Sequence, residues 1–313
     1  MKAAIVTEAG RLPIYADFEE PVAGAGERIV SVRAAALAPL VRARASGSHY
    51  SSSGRFPFVV GVDGVGTLDD GQRVYFFLPR APFGAMAERT VVPVARQIPV
   101  PDGLDDVTAA AIANPGMSSW AAFTRRAHLK PGETVLINGA TGASGQLAIR
   151  IARHLGAGKV IATGRNVDVL AALGADAVIP LDGDGDALEA RFQAELAQGV
   201  DVVVDYLWGI SAERLLIAAA RVAKEGVPLR FVQVGTASGA DITLPGAILR
   251  SSAIELMGSG IGSVSLDGLL ASIAGVFDAA LSAGLTLPTD PVPLSGVEAA
   301  WPRDDGRRIV FTA

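Results

Sequence analysis

Apolar positions along this chain fall into two textures. From Met1 to about Pro101 they come in short β-rich pieces, KAAIVT, RIVSVRAAAL, RVYFFL and ERTVVP, cut every few residues by glycine and proline turns. That pattern predicts a compact, mostly antiparallel region. Within it, GVDGVGTL (Gly61 to Leu68) puts glycines where bulky residues usually fill a strand, which predicts a bend or a close backbone approach. From about Leu104 the spacing turns helical. DDVTAAAIAN offers Asp105 or Asp106 as a cap, and NPGMSSWAAFTRRAHL offers Ser118 or Ser119 as the cap of a second helix. From Thr134 wholly apolar runs (TVLIN, KVIAT, AVIPL, DVVVDYL, LRFVQVG, AIELMGS) alternate with helical segments. This is the pattern of a doubly wound parallel sheet whose strands are buried on both faces, so the predicted class is α/β. One more helix follows, Leu266 to Leu281, and then a terminal strand, RRIVFTA, expected to rejoin the N-terminal region.

The chemistry is concentrated where the first of those runs ends, in TVLINGATGASG (Thr134 to Gly145). Ala140, Gly142 and Gly145 form an Ala-for-Gly variant of G-x-G-x-x-G between a strand and the helical segment QLAIRIARHLG. In a dinucleotide site the first position allows the tight turn, the second lets the backbone approach a pyrophosphate, and the third lets helix and strand pack closely. Gly139, Ala140, Thr141, Gly142, Ala143, Ser144 and Gly145 are therefore candidate cofactor-binding residues, with the pyrophosphate over the open helix start. The plainer alternative is an ordinary strand-to-helix turn.

Composition narrows the field. Half of the 313 residues are hydrophobic, 19% are charged, and the net charge is −5 with no basic block. A sizeable core is available, and neither nucleic acid nor a membrane is the expected partner. The absence of cysteine removes disulfides, thiolate nucleophiles and Cys-based zinc sites. With no secretory pattern at MKAAIVTEAG and no apolar run of spanning length, a cytoplasmic location is expected.

Together these stretches resemble the medium-chain dehydrogenase/reductase superfamily, and within it the zinc-free quinone oxidoreductase (zeta-crystallin-like) branch. The likeness runs through KPGETVLINGATGASGQLA, ALAPLVRARASGSHY, FPFVVGVDGVGTL with its Asp63 and Gly64, and VEAAW. It implies a GroES-like β-rich catalytic domain over residues 1–113 and 261–313, and an inserted Rossmann cofactor domain over 114–260. NADPH and substrate would meet in the cleft, without metal. It also implies hydride transfer to quinones or other α,β-unsaturated carbonyl compounds, with enone C=C reduction as the near alternative. An NADPH-binding sensor or structural protein with little turnover is the alternative of another class. One departure is Ala38, where relatives often carry Asn.

Cofactor choice is read from the end of the second parallel strand, Gly164, Arg165 and Asn166. No acid stands there to hold a ribose 2′-hydroxyl, and Arg165 offers a cation for a 2′-phosphate, so NADP(H) is expected. An exposed helix-start role for Arg165 is the alternative. The hydride acceptor's oxygen needs a donor. The resemblance makes Tyr50 the first candidate, as donor or as binding wall, and lets Ser118 reach the nicotinamide unless it only caps a helix. Asn114 and Met117 would border the nicotinamide, and Leu207, Trp208, Val234, Gly235 and Thr236 end strands where ligands bind in open α/β sheets. His49 is a weaker candidate, and a structural role for Asp63 is equally open. The apolar strand AIELMGS, as an exposed sheet edge, suggests a homodimer.

Overall fold

The computed structural model describes residues 1–48, 55–183, 185–304 and 306–313. Its contacts divide the chain into two compact units, Met1–Asn114 with Thr286–Ala313, and Pro115–Leu285.

The first unit is β-rich, as its sequence texture predicts. Seven strands make its larger sheet. Thr289–Pro293, Arg308–Thr312, Glu27–Ala36, Asp63–Thr67, Arg73–Phe77 and Gln97–Pro99 lie side by side in that order, and Arg89–Pro93 also pairs with Glu27–Ala36. All pairings are antiparallel except that of Thr289–Pro293 with Arg308–Thr312, so the terminal strand does rejoin the N-terminal region. A smaller sheet joins Ile14–Asp17, Lys2–Val6 and Phe58–Val59. Between them sits a core that includes Val30, Val32, Val74, Phe76, Trp301 and Phe311. The glycines of GVDGVGTL serve a close approach rather than a bend. A Cβ on Gly66 would lie 2.4 Å from the Ser31 carbonyl oxygen, and one on Gly64 would lie 2.9 Å from the Phe76 ring.

The second unit carries a six-stranded parallel sheet in the order Ala177–Pro180, Lys159–Gly164, Thr134–Asn138, Val202–Asp205, Leu229–Gln233, Ile254–Gly258. This is the 3-2-1-4-5-6 order of the doubly wound dinucleotide fold. The central strands are buried end to end because helices cover both faces.

Two boundaries differ from the sequence expectation. The 106–121 segment is one helix, Asp106–Ala121, continued by a π-turn at Ala122–Arg126, not two helices. Asp105 caps it by accepting from the Thr108 N–H at 2.9 Å. A proline normally stops a helix, but residues 109–113 are fully buried, and packing carries the helix through Pro115. The helix Leu266–Ala280 groups with the parallel-sheet unit, whereas the sequence reading put the boundary at 260. Glycine explains this: a Cβ on Gly116 would lie 2.9 Å from Val276, and one on Gly275 would lie 2.5 Å from Trp120. Those two helices approach closely enough to form one body.

Asp63, on a central strand of the β-rich unit, is 2% exposed and accepts from the Tyr75 hydroxyl at 2.9 Å. Burial pushes its carboxyl up to about 6, against the opposing effects of that hydrogen bond and the Arg308 charge. An unfolded carboxylate titrates near 3.9, so between the two values the folded chain keeps a proton that the unfolded chain has released. Folding stability therefore falls as pH rises through that window. Asp63→Asn keeps an acceptor for Tyr75 and removes the charge. Urea unfolding at about pH 4 and pH 7 is expected to show the variant gaining about 2 kcal/mol on the wild type between them. Parallel pH curves for the two proteins would mean that the buried carboxyl does not titrate in this window.

Candidate active site

The predicted cofactor residues of the second unit come together at the carboxyl ends of four adjacent strands. Gly139, with φ of +93°, turns the chain out of the Thr134–Asn138 strand. Gly145 lies in the first turn of the Ala143–His154 helix, where a Cβ would come within 2.4 Å of the Gly139 carbonyl oxygen and 2.5 Å of Ala140 Cα. Gly142 is different: a Cβ there would meet only the Gly139 oxygen, at 3.9 Å, so its face is open. Gly142 is also the N-cap, and no side chain caps the helix. The first-turn N–H groups at Ala143 to Gly145 are therefore left without a capping side chain.

Neighbouring strand ends close around this turn. A Cβ on Gly164 would sit 2.5 Å from the Thr141 side chain, one on Gly139 2.8 Å from Leu207, and one on Gly235 2.6 Å from the Tyr206 carbonyl oxygen. Val234 and Gly235 donate their N–H groups to the Asp205 carbonyl at 2.7 and 3.2 Å. Thr236 is exposed and, with Trp208 and Gln233, lines a shallow cavity of about 330 Å³. Arg165 is exposed at the end of the second strand, with Asp168 in the first turn of the helix that follows. Asn166 caps the Val167–Ala172 helix, its Oδ1 accepting from the Val169 N–H at 3.1 Å, so its side chain already has a structural task.

Sequence reasoning missed the polar ladder beneath the turn. Thr163 donates its hydroxyl to Asn138 Oδ1 at 2.7 Å and accepts from the Gly139 N–H at 3.0 Å. Asn138 Nδ2 donates to Asp205 at 2.8 Å and to Ser211 at 3.0 Å. Asp205 in turn accepts from the N–H groups of Leu207 and Trp208 at 3.0 and 3.1 Å, and burial raises its pKa. These bonds hold Trp208 in an uncommon backbone conformation, φ +56°. The available signal was a polar residue at or next to the end of an otherwise apolar run: Asn138, Thr163 and Asp205.

Ser118 is not a helix N-cap. It lies in the interior of Asp106–Ala121 and donates its hydroxyl to the Pro115 carbonyl at 2.8 Å. Ser119, fully buried, makes the wider connection: its Oγ lies 3.1 Å from the carbonyl oxygens of Pro115 and Ser144, and 2.7 Å from the Tyr206 hydroxyl. Burial raises the Tyr206 pKa, so its phenol stays protonated as a hydrogen-bonding strut. Met117 is buried, and Asn114 Nδ2 is buried with no hydrogen-bond partner among the described residues. In the β-rich unit Ala38 begins the Pro39–Ala45 helix without a side-chain cap. Tyr50 and His49 lie outside the described residues.

This geometry has relatives. The profile of the zinc-binding dehydrogenase family matches residues 143–274. The Emericella nidulans protein named "Probable NADPH-dependent quinone reductase tdiC" is 30% identical, over 99% of both chains. The chain belongs to the medium-chain dehydrogenase/reductase superfamily, in its quinone oxidoreductase branch. Within this family, a trans-enoyl reductase, pgmF, from Aspergillus terreus is 30% identical over 58% of this chain and 48% of its own. The solved quinone oxidoreductase of Thermus thermophilus, determined also in complex with NADPH, superposes with a TM-score of 0.82 at 27% identity over the full length of both chains. The family profile is described as zinc-binding, whereas this chain has no cysteine to offer a metal.

The two glycines of the fingerprint separate by their surroundings. Gly145→Ala forces backbone apart and is expected to destabilise the protein by about 2–4 kcal/mol, whereas Gly142→Ala meets open space and stays within about 1 kcal/mol of the wild type. Denaturant unfolding of both variants checks this. Similar losses would mean that the turn does not need the close approach.

Proposed function

We propose that this protein is an NADPH-dependent reductase of quinones or other α,β-unsaturated carbonyl compounds. The observation that carries the reading is the turn from Gly139 to Gly145, open at Gly142 and closed at Gly145, inside a chain aligned end to end with a quinone reductase. The turn fits a dinucleotide. The N–H groups of Ala143, Ser144 and Gly145 would hold the pyrophosphate, and Thr141, Gly164 and Leu207 would flank it. Arg165 would pair with a 2′-phosphate, with Asn166 fixing the helix start beside it. NADPH, when bound, supplies a hydride.

The chain's own contribution is to position and to exclude water. Asn138 and Asp205 hold the strand-end turns, and Ser119 with Tyr206 ties the Asp106–Ala121 helix to the start of the Ala143–His154 helix. Asn114, Met117 and Ser118 lie on that helix, and we assign them to the border of the nicotinamide. Tyr50 is our candidate to donate a hydrogen bond to the acceptor oxygen as negative charge builds there. Reduction of an enoyl C=C bond is the second reading, favoured by the likeness to the trans-enoyl reductase pgmF.

The test is NADPH oxidation by metal-stripped protein, with 1,4-naphthoquinone and benzylideneacetone in parallel. Saturable turnover with either is expected, and none with both would remove the reading. Arg165→Ala is expected to weaken NADPH binding about tenfold or more, the worth of a lost charge-assisted hydrogen bond, and to leave NADH binding nearly unchanged. Equal effects on the two cofactors would show that another residue reads the phosphate.

We also propose a homodimer formed through the edge strand Ile254–Gly258, which pairs on one side only among the described residues and leaves Leu256 39% exposed. Light scattering after size exclusion is expected to give twice the 32.1 kDa chain mass. A single-chain mass would sink this assignment.

A further inference from the structure

A cavity lined wholly by residues of the β-rich unit measures about 640 Å³, the size of a small-molecule pocket. Val41, Phe56, Val60, Leu78 and Phe83 make much of its wall. The charged side chains on its described lining are Arg44 and Arg96, and no acid stands among those residues. That is contrary to the balance of the whole chain, which carries 32 acidic against 27 basic residues.

The two arginines arrive from separate elements, each fixed by its own packing. Arg44 is in the last turn of the Pro39–Ala45 helix, anchored by buried Val41 and Ala45. Partial burial lowers its pKa, so its charge sits where water is scarce. Arg96 ends the short turn Val94–Arg96 and donates from Nη1 to the Leu78 carbonyl at 2.8 Å. A guanidinium has five N–H groups, so that bond orients the fork and leaves donors over. Leu78 is held in the left-handed region, φ +51°, by the Arg96 bond and by its own N–H, which donates to the Val62 carbonyl at 2.7 Å. A non-glycine residue kept there, in the wall of a cavity, marks a shape maintained against local preference.

We propose that this cavity binds an apolar organic anion, an aryl or branched carboxylate, through Arg44 and Arg96. Apolar walls take the body of the ligand, and the planar guanidinium forks match a carboxylate. A negatively charged chain gains from gathering its positive potential in one low-dielectric recess, because the field there is least screened.

The experiment is calorimetric titration of the cofactor-free protein with trans-cinnamate and with its uncharged counterpart, cinnamamide, at low ionic strength. Cinnamate is expected to bind at least about tenfold more tightly, as for a charge-assisted hydrogen bond against a neutral one. Arg44→Met and Arg96→Met, which keep an apolar stem, are each expected to cut that preference below about threefold, and the two lysine variants to retain more of it. Equal affinities in the wild type, or an intact preference in either methionine variant, would overturn the anion site.

Discussion

The hydrogen-bond ladder from Thr163 through Asn138 to Asp205 is what the cofactor unit is built over. A parallel sheet ends in a row of strand termini whose loops must leave in different directions. At the switch between the Thr134–Asn138 and Val202–Asp205 strands, that divergence opens the crevice where ligands bind. Polar side chains in this position would be costly to bury without partners. Here each finds one, and two of the three also hold a loop backbone: Thr163 accepts from the Gly139 N–H, and Asp205 from those of Leu207 and Trp208. The ladder thus converts a divergent set of loops into a fixed rim. Ser119 and Tyr206 extend it to the neighbouring helix.

Glycine acts in the opposite way, by leaving room. Gly66, Gly116, Gly145, Gly235 and Gly275 each stand where a Cβ would come within 3 Å of a neighbour. These contacts set distances between a strand and a strand, a helix and a helix, a helix and a turn. A composition rich in glycine therefore does not imply a loose chain. Val135, Leu136, Ile137 and their neighbours are fully buried, and packing at that density gives large apolar side chains about 1.5–3 kcal/mol each.

Much of this was legible in the residues, for physical reasons. Strands buried on both faces are written as continuous apolar runs, so the central parallel strands could be located in TVLIN, KVIAT and DVVVDYL. The glycine turn was legible because its geometry excludes other residues. The helix through Pro115 was not, since a local rule that prolines end helices was overridden by burial of residues 109–113, which only the folded chain displays. The grouping of Leu266–Ala280 was hidden for the same reason: Gly116 and Gly275 look unremarkable until Val276 and Trp120 are placed against them. Asn138, Thr163 and Asp205 stood in plain view at strand ends, yet their meaning depends on which strands are neighbours.

The cavity beside Arg44 and Arg96 follows a different logic from the glycine turn. The turn offers a dinucleotide backbone N–H groups, under the function proposed above, and those donors do not depend on which side chains the turn carries. The cavity offers the proposed anion side-chain donors instead, one from a short helix and one from a short turn. Arg96 contributes to both purposes, since the bond that orients its guanidinium also holds the Leu78 backbone. Substitution of Arg44 therefore alters the charge of that recess while the backbone donors of the glycine turn stay as they are.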